Sequence, residues 1–267
     1  MSLALKLLKL KQILCRMKSA LVAFSGGTDS TFLLKIALDT LGANVLAVTA
    51  VSASYPKEEL IFAEKTARLF KAKHKIIRTR EFKDKNFLSN PVNRCYFCKK
   101  ELFSQLKGIA RKNKMNFVLD ASNLSDKKDF RPGNKAKREF RIRSPLQEAG
   151  LTKSDVRILS KKLKLATWDK PTLACLASRV AYGIKITRNL LDRINKAENY
   201  LKSLGISCVR VRDYGRLCRI ECDLRKADLI LSRNKQIAGR FKSLGYQYIT
   251  LDILGFRSGS MNEVLRK

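Results

Sequence analysis

From residue 20 to about residue 145 the chain alternates short apolar runs with amphipathic stretches of helical length. No other feature constrains the fold as tightly. Ser19–Phe24 (SALVAF) reads as a buried strand, STFLLKIALDTLGA as a helix stopped by Gly42, and Asn44–Val51 as a second strand. A helix opened by Pro56 follows, then a strand over KHKIIRT, a helix over ELFSQLKGIARKN and a fourth strand, Asn116–Ser122. Strands separated by helices of about 10–15 residues form crossover units, and such units build a parallel sheet covered on both faces. Two long connections, Lys83–Arg94 and Ser122–Arg141, are rich in Asn, Asp, Pro, Gly and charge. Both are expected at one edge of the sheet, where open α/β folds place their ligands.

After Leu165 the pattern changes. An irregular stretch holds the single tryptophan, Trp168. Next come a helix (Arg188–Leu204), two strand-like runs (SCVRVRD and RLCRIEC) joined around Tyr214–Gly215, a helix over Asp228–Leu244 and the strand YQYITLDIL. The predicted organisation is therefore an α/β domain with a Rossmann-like parallel sheet over residues 1–180, then a smaller α+β domain over 181–267.

The chain carries 56 Lys+Arg against 23 Asp+Glu, a net charge of +33 over 267 residues. Such an excess sets up a field that attracts nucleic acid, phosphates or an anionic membrane, or it decorates solvated surfaces with lysine. The basic residues are spread along the chain with no long basic block, so charge alone selects no function. No run approaches the roughly 20 apolar residues of a membrane span. The leucine-rich N-terminus is interrupted by Lys6, Lys9 and Lys11 and reads as an amphipathic first helix rather than a signal peptide. A cytoplasmic protein is expected. There, seven cysteines in a chain this long are thiols, metal ligands or nucleophiles rather than a disulfide scaffold. Cys208 and Cys222 lie in β-like segments and are expected to be small buried hydrophobes.

The strongest local signal is Ser25-Gly26-Gly27-Thr28-Asp29-Ser30, set between a strand and a helix. Paired glycines let backbone N–H groups wrap a phosphate chain, and the helix N-terminus adds positive partial charge. The Ser30 hydroxyl is a further donor; Asp29 either holds a magnesium ion or caps the helix. The spacing excludes the G-x-x-x-x-G-K-[ST] phosphate loop. S-G-G-x-D-S after a first strand resembles the PP-loop of the ATP pyrophosphatases (adenine nucleotide alpha hydrolases). Those enzymes cleave ATP between the α and β phosphates and adenylate a substrate oxygen. The resemblance implies pyrophosphate and magnesium contacts for Ser25, Gly26, Gly27, Asp29 and Ser30.

Cys95 and Cys98 form a C-x-x-C, and Cys175 stands in KPTLACLASR. Spacing-two cysteines also serve zinc and redox sites, but there is no second C-x-x-C, and the one histidine, His74, sits in a strand-like run. Three thiols can hold an iron–sulfur cluster with one iron open; alternatively Cys175 is a nucleophile activated by Lys170 or Arg179.

Seven segments in order then point to one family: SGGTDS, NPVNRCYFCKKELF, LDASN, DFRPGNKAKREFRIRSPLQEAGLTKSDVR, WDKPTLACLASR, VRVRDYGRLCRIE and LGFRSGSMNE. Together they resemble the LarE-type ATP-dependent sulfur transferases, which build the nickel-pincer nucleotide cofactor of lactate racemase. Ala121 departs from the glycine expected in the LDASN segment. The resemblance implies Mg-ATP and pyridinium-3,5-biscarboxylic acid mononucleotide as substrates, with each carboxylate adenylated and then attacked by sulfur. It implies a 4Fe-4S cluster on Cys95, Cys98 and Cys175, with Cys175 as sacrificial sulfur donor the second reading, and it suggests a homo-oligomer.

On this reading Lys99, Lys170 and Arg179 neutralise charge on the acyl-adenylate. Arg210 and Arg212, two apart on a strand and so on one face, clamp the substrate phosphate or carboxylates, or line a solvated face. Asp29, Glu198 and Glu221 are expected contacts to magnesium or a ribose, or surface carboxylates. The rival is a PP-loop enzyme that thiolates tRNA; the charge favours it, whereas the chain shows no evident RNA-binding module. A non-catalytic nucleotide sensor is the third reading, and an intact loop with three cysteines speaks against it.

Overall fold

The computed structural model describes residues 1–52, 55, 57–128, 132–171 and 175–265. Pro56, expected to open a helix, lies outside them, as do 129–131 and 172–174 of the family-like segments. The chain divides into two compact units, Met1–Asp84 with Asn93–Leu173, and Lys85–Val92 with Ala174–Lys267. The division falls ahead of 180/181, because Arg179 is buried against a helix of the second unit and Val180 bridges to Asp213 there.

In the first unit, strands β1 (Ala20–Ala23), β2 (Val45–Val51), β3 (Lys73–Arg78) and β4 (Phe117–Leu119) form a parallel sheet in the order β3-β2-β1-β4. Helices α1 (Leu3–Met17), α2 (Thr28–Leu41) and α3 (Lys57–Leu69) alternate with the first strands. The central strands are apolar throughout because both faces are covered. Val22 faces a core with Leu33, Leu34 and Val156, while its neighbour Leu21 faces one with Phe103, Leu106 and Val118. Strand order reverses between β1 and β4, so the crevice beyond their carboxyl ends is where a ligand is expected. β4 is shorter than the sequence suggests, since after Leu119 the chain turns into a polar cage built on Asp120 and Asn123.

Short helix α4 (Lys85–Leu88) belongs to the second unit, and α5 (Arg94–Lys112) to the first. The sequence suggested a helix from Glu101; α5 begins at Arg94, which puts the C-x-x-C in its first turns. Helices α6 (Gly133–Glu139), α7 (Pro145–Glu148) and α8 (Lys153–Lys162) complete the first unit, α8 opening on a Thr152–Asp155 capping box.

In the second unit, α9 (Arg188–Ser203) covers a sheet of β5 (Val209–Tyr214), β6 (Leu217–Cys222) and β7 (Tyr248–Leu251). β5 and β6 are antiparallel, β6 and β7 parallel. The long helix expected over Asp228–Leu244 is two, α10 (Ala227–Ser232) and α11 (Asn234–Ser243), broken at Arg233. Cys218 and Cys222 are buried in this core; Cys208, expected there too, is exposed one residue ahead of β5. Burial pushes the Cys218 thiol up to about 12, so it is an inert apolar group.

Two expectations follow. Five cationic residues, Lys18, Lys71, Lys114, Arg141 and Lys164, hold left-handed φ values of 49–62° just past helix ends, where glycine is usual. Lys114→Gly is expected to stabilise the protein by about 1 kcal/mol in urea unfolding; an unchanged midpoint would show that no strain is stored there. His74, the one histidine, is pushed down by burial and meets Thr49 Oγ1 through Nε2 at 2.8 Å. Its single imidazole C2–H resonance should therefore titrate below 6.5. Because the folded state resists protonation, stability falls as pH drops below 6.5; a midpoint at or above 6.5 contradicts the buried neutral ring.

Candidate active site

The loop between β1 and α2 is shaped by its glycines and closed by its serines. Gly26 has φ +68°, and a Cβ added there would stand 3.1 Å from that of Ala63. Ser30 Oγ donates to the Gly27 carbonyl (3.1 Å) and accepts from the Ser25 N–H (3.2 Å), with Ser25 Oγ a further 3.1 Å neighbour. Gly27 is the N-cap of α2, so capping does not fall to Asp29, which stands in the first turn. Gly26→Ala is expected to cost about 1–2 kcal/mol from the left-handed backbone and, through the shift away from Ala63, to weaken any phosphate binding at this loop. Wild-type nucleotide affinity in that variant would show the tight turn to be dispensable.

Asp29 is held from the far side of the strand reversal. Asn123, only 1% exposed, donates Nδ2 to Asp29 Oδ1 at 3.2 Å. Asn123 is itself fixed: its N–H donates to Asp126, its Oδ1 accepts from the Ser125 N–H, and its carbonyl accepts from Gln147. Asp120 beside it accepts from the Ser122 hydroxyl (2.7 Å) and the Ser144 hydroxyl (2.5 Å). Ala121, where glycine was expected, does not have a left-handed φ, so its methyl group leaves the turn undistorted. Burial raises the Asp29 carboxyl above its ordinary value, the Asn123 bond opposing it. Sequence reading named Asp29 but missed Asn123, whose role depends on the fold bringing β4 beside β1.

Lys170 also belongs here. Its ammonium donates to the Gly26 carbonyl (3.2 Å) and to Glu59 (2.8 Å), and lies 3.7 Å from the Phe62 ring centroid. Lys99 is one turn beyond Cys95 on α5, over Phe103. Cys95 is exposed and Cys98 half-buried, three residues apart on one helix and unbridged. Cys175 is exposed in the second unit, directly before a 3-10 turn over Leu176–Arg179. Among the described residues, no group of three or more His, Cys, Asp or Glu is close enough to hold a metal ion.

The second unit carries the other expected residues; of the five charged residues of β5 and β6, Arg210, Arg212, Arg219 and Glu221 lie on one face and Asp213 on the other. Arg210 stands opposite Glu221, and Arg212 opposite Arg219, while Val209, Val211, Ile220 and Cys222 fill the core face. Arg212 donates to Glu221 (2.7 Å), Ser260 (2.9 Å) and the Ser178 carbonyl (3.2 Å). Arg210 donates to the Val209 carbonyl and lies over Phe256. Burial first, then repulsion from Arg179, pushes its guanidinium down. Arg179 forms a two-pronged pair with Glu198 (2.9 and 3.1 Å) and donates to the Cys175 carbonyl (3.0 Å). None of these is a solvated surface charge, as the blander expectation had it: Glu198 is 2% and Glu221 0% exposed. Both carboxylates are engaged by arginines, Glu198 also by the Val211 N–H, and here they orient those arginines rather than facing a metal.

No family profile matches the chain. It is 42% identical over 264 residues to an uncharacterised protein of Synechocystis, covering 98% of each. It is 39% identical over 267 residues to the pyridinium-3,5-bisthiocarboxylic acid mononucleotide synthase of Lactiplantibacillus plantarum, covering all of this chain and 97% of that one. An uncharacterised protein of Methanocaldococcus jannaschii is 31% identical over 258 residues, with 95% and 98% covered.

Proposed function

The chain belongs to the family of the pyridinium-3,5-bisthiocarboxylic acid mononucleotide synthase, and from that premise we propose that it is an ATP-dependent sulfurtransferase acting on the biscarboxylate mononucleotide. The observation that carries the nucleotide half of this reading is the Ser25–Ser30 loop at the strand reversal, with Asp29 held by Asn123. There the N–H groups of the loop and the start of α2 receive the phosphates, and Asp29 a magnesium ion. A substrate carboxylate oxygen attacks the α-phosphorus, the bond to the β-phosphate bridging oxygen breaks, and pyrophosphate leaves. Lys170 at the loop, Lys99 and Arg179 supply positive charge where it develops. Arg212, preset by Glu221 and Ser260, and Arg210 on the same face of β5 bind the substrate's phosphate or carboxylates. AMP is then displaced by sulfur, and two rounds give the bisthiocarboxylate.

For the sulfur source, Cys95 and Cys98 fit two ligand positions of a cluster: thiols three residues apart on one helix, with solvent access. Cys175 would be the third thiolate of a 4Fe-4S cluster, which when bound would supply the transferable sulfide; its own thiol is the alternative donor. Anaerobic iron and sulfide content should fall to background in Cys95→Ser; iron unchanged by that substitution removes Cys95 from the ligand set. We place the enzyme in the cytoplasm as a homo-oligomer; among the described residues no helix is long and apolar enough to cross a membrane.

The test of the function is pyrophosphate release from Mg-ATP, measured anaerobically with the pyridinium biscarboxylate mononucleotide and separately with unmodified tRNA. Stimulation by the mononucleotide alone is expected. Stimulation by tRNA alone would give the charge of +33 the substrate role and replace this reading with tRNA thiolation.

A further inference from the structure

The residue directly after the Gly26-Gly27 pair is hydrogen-bonded into the protein. Thr28, the variable position of the S-G-G-x-D-S loop, turns its hydroxyl away and donates it to the Thr167 carbonyl at 2.7 Å, with the Lys170 carbonyl at 3.5 Å. The Lys170 carbonyl also accepts from Arg157 Nη2 at 3.1 Å, from α8. From the same residue, the Lys170 ammonium returns to the Gly26 carbonyl at 3.2 Å. The segment Thr167–Lys170 is thus tied to the nucleotide loop at both of its ends, by Thr28 at the Thr167 carbonyl and by the Lys170 ammonium at Gly26, while Arg157 ties its Lys170 carbonyl to α8.

These ties are costly to lose. Thr167 is 1% exposed. A buried carbonyl left without its donor loses more than the bond itself is worth. Two donors of the same brace, Arg157 Nε and Thr167 Oγ1, are buried and have no hydrogen-bond partner among the described residues. A brace with more donors than internal acceptors is suited to stand beside an anion. Arg157 is also close enough to Asp29 to lower its carboxyl against burial, as is Lys153 one turn earlier on the same face of α8.

We propose that Thr28 and Arg157 are positioning residues of the nucleotide reaction: they clamp the Thr167–Lys170 segment so that the Lys170 ammonium stays fixed at the phosphate loop. This deepens the nucleotide reading above and rests on it. A long lysine side chain free to wander loses much rotamer entropy on meeting a phosphate, and a fixed backbone origin reduces that loss. Neither residue need touch the nucleotide; both act through Lys170.

The experiment is titration calorimetry of the full chain with Mg-α,β-methylene-ATP, which binds without turnover and needs no carboxylate substrate. Wild type is compared with Thr28→Val, Thr28→Ser, Arg157→Met, Lys170→Met, and the first and third combined with Lys170→Met. Thr28→Val and Arg157→Met are each expected to weaken binding roughly ten-fold, and Thr28→Ser to restore it. In the Lys170→Met background neither should add a further loss, because the group they position is gone. A merely structural role would multiply through that background and track thermal unfolding of each variant. Losses that multiply fully, or wild-type affinity in both single variants, overturn the inference while leaving the nucleotide reading standing. A wild-type chain that fails to bind the analogue overturns both.

Discussion

Asp29→Asn should abolish most pyrophosphate release, by roughly 10²–10³-fold, without lowering the melting temperature. The two halves of that result have one cause. In the fold, burial raises the Asp29 carboxyl above 3.8, so its ionised form is disfavoured there relative to the unfolded chain. For a carboxyl shifted upward, the native state holds the proton more tightly. The associated stability is present at low pH and declines as pH rises from 3.8 through the folded value. Asparagine keeps the shape and can still pair with Asn123, yet carries no charge to desolvate. The variant should therefore be at least as stable at pH 7 and show a flatter stability profile between pH 4 and 7. On the proposed function Mg-ATP would remove this penalty in the wild type by bringing a cation to the carboxylate, and the nucleotide should then raise the melting temperature of wild type much more than of Asp29→Asn. Thermal unfolding across pH, run beside the pyrophosphate assay, decides this. Loss of activity that runs parallel to loss of folded protein would sink the idea.

The second large effect is structural. Arg179→Ala is expected to destabilise the second unit by about 3–5 kcal/mol, because Glu198 would be left buried without its counter-charge. The side chains of the pair are 2% and 3% exposed, and the guanidinium also ties down the Cys175 carbonyl. For a unit of this size the melting temperature should fall by more than about 10 °C. Arg179→Met combined with Glu198→Leu removes both charges and should recover much of that stability. On the role proposed for Arg179 activity should not return with it, since the combined variant no longer fixes the Cys175 backbone and would offer no cation to an adenylate. If the double substitution restored both stability and turnover, Arg179 would be a structural residue alone.

The parallel sheet was legible because β1 and β2 are apolar on both faces, which only a doubly covered strand tolerates. The phosphate loop was legible because two glycines followed a strand directly. The start of α5 was not: RCYFCKK carries no strong N-cap, Asn93 makes no side-chain cap bond, and its charges hide the helical period. The break at Arg233 escaped for a related reason, since neither proline nor glycine marks it. Glu198 was expected to contact magnesium or a ribose, or to be a surface carboxylate, although its spacing from Leu191, Ile194, Ala197 and Leu201 already placed it beside the buried stripe, where Arg179 meets it.

By itself, then, the sequence determined the alternation of strand and helix, the turn at Gly26, the candidate thiols and the family. These follow from local rules: side-chain period, the steric freedom of glycine, and motifs of contiguous residues. Tertiary structure alone decided that Asn123 holds Asp29, that Thr28 ties the Thr167–Lys170 segment to the loop and Arg157 ties it to α8, and that Glu198 and Glu221 face arginines. The Asn123–Asp29 and Thr28–Thr167 pairings join residues 94 and 139 positions apart, the others residues 9 to 19 apart on different elements or across a turn, and a buried charge or polar group takes whichever partner the packing brings within about 3 Å. Local sequence names the group that needs a partner; only the fold chooses it.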